Sequence, residues 1–206
     1  MGYLAGQEIM RCVPFVHVVT NQCLSIVCDY CMKSTNDEKI TLKKCSKCKV
    51  NYYCGQNCQK NAWVNYHREE CGYLSMARSV PCIVRMIGRV VLKLNKGGSK
   101  EFATLPNGKK RHFQDLMSHE KEISKDGKRM EEFEKFYVLL QILLAEKLPE
   151  KDEVLRIYGR LLVNQLGIND NFGNIGVGLY LDASAIDHAC DPNTVYISNG
   201  KQLILR

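Results

Sequence analysis

The sequence predicts an α+β protein in which a small metal-stapled module is inserted into a β-rich frame that also carries a helical insert. Three observations predict it. Seven cysteines and a histidine crowd into residues 28–71 at metal-ligand spacings. Strand patterns stand near both ends, in residues 13–19 and 195–205. Between them, from about residue 81 to residue 167, apolar residues recur at helical spacing.

At 206 residues the chain has room for one domain or two small ones. A module of ~45 residues holds together only with metal or disulfides. The first 20 residues lack a charged start leading into an apolar run and a cleavage site, so no secretory signal is read. No apolar stretch reaches the ~18 residues of a membrane span. A reducing compartment is therefore expected, and there the grouping of many of the 11 cysteines means metal rather than disulfides. The net charge of +7 permits contact with acidic partners. It does not single out nucleic acid.

The elements follow in order. Residues 1–27 form an N-terminal strand segment. Val13, Phe15, His17 and Val19 alternate with Pro14, Val16 and Val18, so both faces are largely apolar and one buried strand is expected, with Pro14 near its start or on an edge. Residues 28–71 are the metal module. Residues 72–168 are a helical linker and insert. Pro81 opens a helix to about Leu94 with Ile83, Val84, Ile87, Val90, Val91 and Leu94 inward and Arg85, Arg89 and Lys93 on the surface. Residues 95–112 read as a loop, with a basic run at Lys109-Lys110-Arg111. A helix striped by Met130, Phe133, Phe136, Tyr137, Leu140, Leu143 and Leu144 precedes Pro149. A second helix starts with Asp152 as its cap, turns Val154, Leu155, Tyr158, Leu161, Leu162 and Leu166 inward, and stops at Gly167. Residues 169–206 return to strands. Val195–Ser198 and Gln202–Leu205 flank Asn199-Gly200 as a hairpin with a type I′ turn. A domain rarely closes on a bare strand such as the one reaching Arg206, so a longer chain is expected.

Within the module the spacing is Cys28-x2-Cys31-x13-Cys45-x2-Cys48-x5-Cys54-x3-Cys58-x8-His67-x3-Cys71. Each Cys-x2-Cys is a knuckle that points two sulfurs at one metal. Cys54/Cys58 and His67/Cys71 are i,i+4 pairs on one face of a helical turn. Eight ligands make two closed tetrahedral sites of the structural zinc type, with no open position for activating water. Spacing alone does not decide which pairs share an ion.

The run Tyr53-Cys54-Gly55-Gln56-Asn57-Cys58-Gln59-Lys60-Asn61-Ala62-Trp63, with His67 and Cys71 after it, resembles the MYND finger. That resemblance implies interleaved sites: Cys28, Cys31, Cys54 and Cys58 on one zinc, Cys45, Cys48, His67 and Cys71 on the other. The gap of residues 32–44 is longer than usual for the family and reads as a loop. MYND fingers bind proline-containing peptides. Trp63 and Tyr53 are candidates for such a groove, and Trp63 stands equally as finger core.

A second signature is Gly178-Leu179-Tyr180-Leu181-Asp182-Ala183-Ser184-Ala185-Ile186-Asp187-His188-Ala189-Cys190-Asp191-Pro192-Asn193. By residue chemistry alone it is a small-residue loop holding a histidine, a cysteine and acids. It resembles the SET-domain segment of SET-and-MYND (SMYD) lysine methyltransferases. Ile9 with Pro14-Phe15-Val16, Pro81 with Arg85-Met86 and Arg89, and the final hairpin are similar to that family in the same order. The implied fold is a MYND finger inserted in an incomplete SET domain. The implied activity is methyl transfer from S-adenosylmethionine to a protein lysine, a histone among the candidates, in nucleus and cytoplasm. The resemblance implies cofactor contacts at His119, Asn164, Asp187 and His188, and a third zinc through Cys190 in a longer chain. Read without it, His119 is an exposed helix residue and Asn164 a helix end.

There are departures. Asp187 stands where the family has asparagine, which removes a donor. The family's glycine-rich cofactor segment, catalytic tyrosine and remaining ligands of the third zinc have no counterpart in these residues. The expectation for this chain is accordingly weak or no cofactor binding and no catalytic residue of its own. The alternative reading is a non-catalytic MYND interaction module. A nucleic-acid-binding finger rests on net charge alone and ranks last.

Overall fold

The computed structural model describes residues 3–36, 39–77 and 79–206. Asp37 and Glu38, inside the loop expected over residues 32–44, lie outside the described residues. The frame holds two three-stranded antiparallel sheets. One is built from β1 (Met10–Cys12), β9 (Tyr196–Asn199) and β10 (Gln202–Leu205), in the order β1-β10-β9. The other is built from β2 (Val16–Val19), β7 (Gln165–Asp170) and β8 (Gly173–Leu179), in the order β2-β8-β7.

The single strand expected across residues 13–19 is confined to Val16–Val19, and a separate strand, β1, precedes it. Pro14 has no N–H to give a ladder, and across it the chain passes from the first sheet to the second. All four residues of β2 are buried, as apolar residues on both faces require. No pattern marks β7 or β8 individually: β7 opens on residues assigned to the preceding helix, and three glycines in β8 weaken its strand signal. Those glycines answer to close packing. A Cβ on Gly176 would sit 2.2 Å from Met32 Cε and 2.6 Å from the Val18 carbonyl oxygen.

Between β2 and β8 in sequence come the finger and the helices. The finger contains β3 (Lys43–Lys44) paired with β4 (Tyr52–Tyr53), then α1 (Gln56–Ala62), a π-helical turn over Trp63–His67, and α2 (Arg68–Met76). The helical part follows as α3 (Cys82–Asn95), a hairpin of β5 (Phe102–Thr104) and β6 (Lys110–His112), α4 (Glu120–Lys125), α5 (Gly127–Leu144) and α6 (Lys151–Asn164). One buried apolar cluster runs without a break from Tyr53 and Leu74 of the finger through α3 to Phe133, Tyr158 and Leu161.

Several local expectations are corrected. Residues 95–112 contain the β5–β6 hairpin rather than an open loop. Helix α6 is capped by Glu150 and ends at Asn164, so Leu166 and Gly167 belong to β7. Gly167 makes room for the Asn174 side chain, whose Nδ2 would lie 2.7 Å from an added Cβ, and does not stop a helix. In the last hairpin Asn199 pairs with Gln202, so Gly200-Lys201 forms the turn. Only Gly200 there has positive φ, whereas a type I′ turn needs two such residues.

The largest correction concerns Arg85 and Arg89, which are buried rather than on the surface. Both face β2, an edge strand of its sheet. Lys93 Nζ donates to the Phe15 carbonyl at 3.0 Å, Arg89 Nη1 to that of His17 at 2.6 Å, and Arg85 Nη2 to that of Val19. Alternate strand residues repeat every ~6.6 Å, and four helical residues rise ~6.0 Å. The i,i+4 cations of α3 therefore step in register with the i,i+2 carbonyls of β2.

Candidate metal centres

The two knuckles are the same turn built twice. Met32 N donates to the Cys28 carbonyl at 2.9 Å, and Lys49 N to that of Cys45 at 3.0 Å. The residue after the second cysteine is left-handed in both, with φ of 61° at Met32 and 57° at Lys49. Holding a non-glycine residue there costs on the order of 1 kcal/mol, and the turn aims both sulfurs inward. Cys54 stands just before α1 and Cys58 one turn into it. His67 ends the π turn and Cys71 lies on α2. The wider turn, a feature common at functional sites, lies between the two helical ligand pairs.

The structure brings these residues into two groups. The ligand atoms of Cys28, Cys31, Cys54 and Cys58 lie within 4.8 Å of one another, and so do those of Cys45, Cys48, His67 and Cys71. The grouping is the interleaved one. Zinc–sulfur bonds of about 2.3 Å set the sulfurs of a tetrahedron ~3.8 Å apart. The observed spacings are 3.7 Å for Cys31–Cys54, 3.5 Å for Cys54–Cys58 and 3.8 Å for Cys45–Cys71, with 3.7 Å from Cys48 Sγ to His67 Nε2. The thiol chemistry points the same way. The hydrogen bond from Cys31 pulls Cys28 down to about 5. Burial, and then the charge on Cys28, push Cys58 up to about 12. Four thiols packed this closely cannot all ionise unless a divalent cation joins them, so the donor set fits zinc.

Behind the second group lies a buried polar network that the spacing did not reveal. His67 Nδ1 donates to Glu70 Oε1 at 3.2 Å, which leaves Nε2 for the metal. Asn51 Nδ2 donates to Glu70 Oε1 at 2.9 Å and to Asp29 Oδ2 at 3.1 Å. Arg89 spans both acids: Nε to Glu70 Oε2 at 2.9 Å, and Nη2 to Glu70 Oε1 at 2.8 Å and to Asp29 Oδ2 at 2.9 Å. Its guanidinium also lies 3.8 Å from the centre of the Tyr66 ring. Burial would raise the Glu70 carboxyl, but Arg89 and the His67 hydrogen bond outweigh it and hold Glu70 well below the usual carboxylate range. His17, beside Arg89, is pushed down to about 3, first by burial and then by that charge, and stays neutral. Glu70 follows His67 by three residues, a helical pairing that is the one signal sequence reading had for it.

Of the two groove candidates, Tyr53 is buried at 2% exposure and Trp63 stands 41% exposed with its ring against His67. Only Trp63 offers a surface.

The residues tied to the second signature are scattered. Asp187, His188 and Cys190 lie on an exposed loop, with Cys190 Sγ 3.5 Å from His188 Nε2. Asn164 is buried at the end of α6 and donates to the Met117 and Arg160 carbonyls. It thereby fixes the segment leading to His119, which is left-handed (φ 48°) and has its Nδ1 3.7 Å from Glu122 Oε2. A Cβ on Gly159 would come within 1.9 Å of the Ser118 carbonyl oxygen, so that segment lies directly on α6. Among the described residues no hydrogen bond joins the exposed loop to His119 or Asn164.

The family model of the MYND finger matches residues 28–71. Human histone-lysine N-methyltransferase SMYD3 is 33% identical over 98% of this chain and 46% of its own length. Histone-lysine N-methyltransferase ASHR1 of Arabidopsis thaliana is 29% identical over 98% of this chain and 42% of its own length. SET domain-containing protein 14 of Caenorhabditis elegans is 33% identical over 81% of this chain and 37% of its own length. The chain thus spans less than half the length of these relatives. Among the described residues no helix is long and apolar enough to cross a membrane.

Proposed function

We propose, for this member of the SET-and-MYND family, the work of a protein-lysine methyltransferase that uses S-adenosylmethionine. The observation that carries it is likeness over 98% of the chain to a human histone-lysine N-methyltransferase. The Gly178–Asn193 segment supports it with the residue types expected of a cofactor loop. In this reading residues 1–27 and 169–206 are SET segments, residues 28–71 the finger, and residues 72–168 the linker and helical insert.

Bound S-adenosylmethionine supplies an electrophilic methyl group on a sulfonium. The chain's part is alignment and exclusion of water. His188 and Asp187 would grip the cofactor from the exposed loop. The Asp187 carboxylate attracts its positive charge but cannot donate a hydrogen bond as an amide does. Asn164 would act by holding the Met117–His119 segment beside it. The two buried ligand groups would hold one structural zinc each, and Cys190 a further zinc in company with ligands from elsewhere. The substrates would be lysines of histones or other proteins, in nucleus and cytoplasm.

The test is transfer of labelled methyl from S-adenosylmethionine to histone lysines by the whole protein. A signal at least roughly tenfold above that of the Asp187→Ala/His188→Ala variant is expected, equivalent to ~1.4 kcal/mol of lost interaction. Equal signals sink the reading. A non-catalytic interaction module remains the second reading. It is favoured by Trp63 and Val64, exposed by 41% and 70% on the finger helix, where a proline-containing peptide would lie.

A further inference from the structure

A cleft of about 210 Å³ opens where the finger meets the frame. Its walls are the start of β2, the first knuckle, the π turn, the far half of α3 and the β9–β10 turn. Three lysines line it. Lys201 Nζ lies 3.7 Å from the centre of the Tyr30 ring and, among the described residues, has no carboxylate partner. Lys93 Nζ lies 4.4 Å from the Phe15 ring centre and reaches Glu101 at 2.8 Å. Lys96 Nζ donates to the Asn65 carbonyl at 3.4 Å and is 4.0 Å from Glu69, a carboxylate already taken by Lys147.

The cleft thus sets three ammonium groups against one half-exposed carboxylate, Glu101. Its floor brings no carboxylate to the slot: Arg89 lines it, while Asp29 and Glu70, one negative charge in excess of that guanidinium, lie behind it, and His17 is neutral, its ionised form disfavoured by burial and by the charges of Arg89 and Lys201. Aromatic walls under the ammonium groups lower the local dielectric and focus the positive field. The volume is below that of a drug-sized ligand site and suits a side chain or two. Val64, 70% exposed at the rim, offers apolar contact to what flanks the charge.

We propose that this cleft binds a carboxylate-bearing, extended peptide segment of a protein partner, with the acidic side chain received by Lys93, Lys96 and Lys201. An acidic peptide fits because the cations stand on two elements across a narrow slot, the end of α3 and the β9–β10 turn, so that one carboxylate bridges helix and sheet. The site is separate from the exposed loop of Asp187 and His188, and it lies beside the finger helix on which Trp63 is exposed.

The test uses the zinc-loaded full chain and a fluorescein-labelled octapeptide of alternating glutamate and alanine, followed by anisotropy. Saturable binding is expected, weakened at least tenfold in Lys96→Glu/Lys201→Glu. It should be little changed in Lys121→Glu/Lys125→Glu, which makes the same charge change on α4. Native mass spectrometry and melting confirm that each variant is folded. Equal losses in the two variants reduce the effect to net charge and overturn the site. Displacement by millimolar inorganic phosphate as effective as by unlabelled peptide assigns a small-anion site and overturns the peptide. So does a labelled DNA duplex that binds through the same lysines where the peptide does not bind.

Discussion

Stripping metal from this chain is expected to unfold residues 28–71 as a unit and to take the cooperative melting transition with it. Structural zinc contributes an apparent ~10–16 kcal/mol to small units of this kind, more than the ~5–15 kcal/mol that holds a typical domain together. The interleaving makes the loss collective. The Cys45–Cys48 knuckle lies in sequence between the two halves of the other site, so neither site unravels alone. Native mass spectrometry of the folded protein should find two zincs per chain. Cys54→Ser should lose one of them and lower the melting temperature of the whole finger. A folded, metal-replete chain holding one zinc or none would overturn the paired-site arrangement. So would a chelated chain that keeps its melting transition.

Replacing Arg89 by methionine is expected to cost about 3–5 kcal/mol, the usual penalty for leaving buried carboxylates without their cation. Asp29 and Glu70 are 1% and 0% exposed and share this one guanidinium. Glu70 also orients His67, so zinc affinity should fall roughly 10–100-fold. Urea unfolding reads the first effect and competition with a chromophoric chelator the second. The triple variant Arg89→Met/Asp29→Asn/Glu70→Gln should regain much of the stability and little of the zinc affinity, because a neutral amide in place of the Glu70 carboxylate is a weaker acceptor for the imidazole N–H. A single variant that unfolds within ~0.5 kcal/mol of the parent would show the network to be dispensable.

The eight ligands were legible because knuckles and helical pairs are local, and local spacing is what a sequence displays. Their assignment to two ions was not, since it depends on how the chain folds back, and there the family likeness supplied what spacing withheld. Helices α3, α5 and α6 were legible from their stripes to within a few residues, while the six-residue α4 was too short to show one. Arg85 and Arg89 were misplaced because amphipathic reasoning sends charge outward, and their partners on β2 and at Asp29 lie about 60–70 residues away along the chain. Strand β8 was hidden by glycines that exist to let Met32 and Tyr180 approach. The last hairpin was found but its turn was set one residue early, because Gly200 opens its turn rather than closing it.

The row of cations that α3 lays along β2 also bears on how the protein behaves when it fails. An edge strand with open carbonyls is a template on which other chains add strands, and here a helix plugs the template. Arg89 is held in place from behind by two acids of the metal module, so the plug is seated only while that module is intact. Metal depletion should then turn the loss of a small finger into self-association, β2 to β2. Light scattering that rises after chelation, and that a Val18→Lys substitution suppresses, is the expected sign. Chelated protein that stays monomeric would separate the finger from the sheet edge.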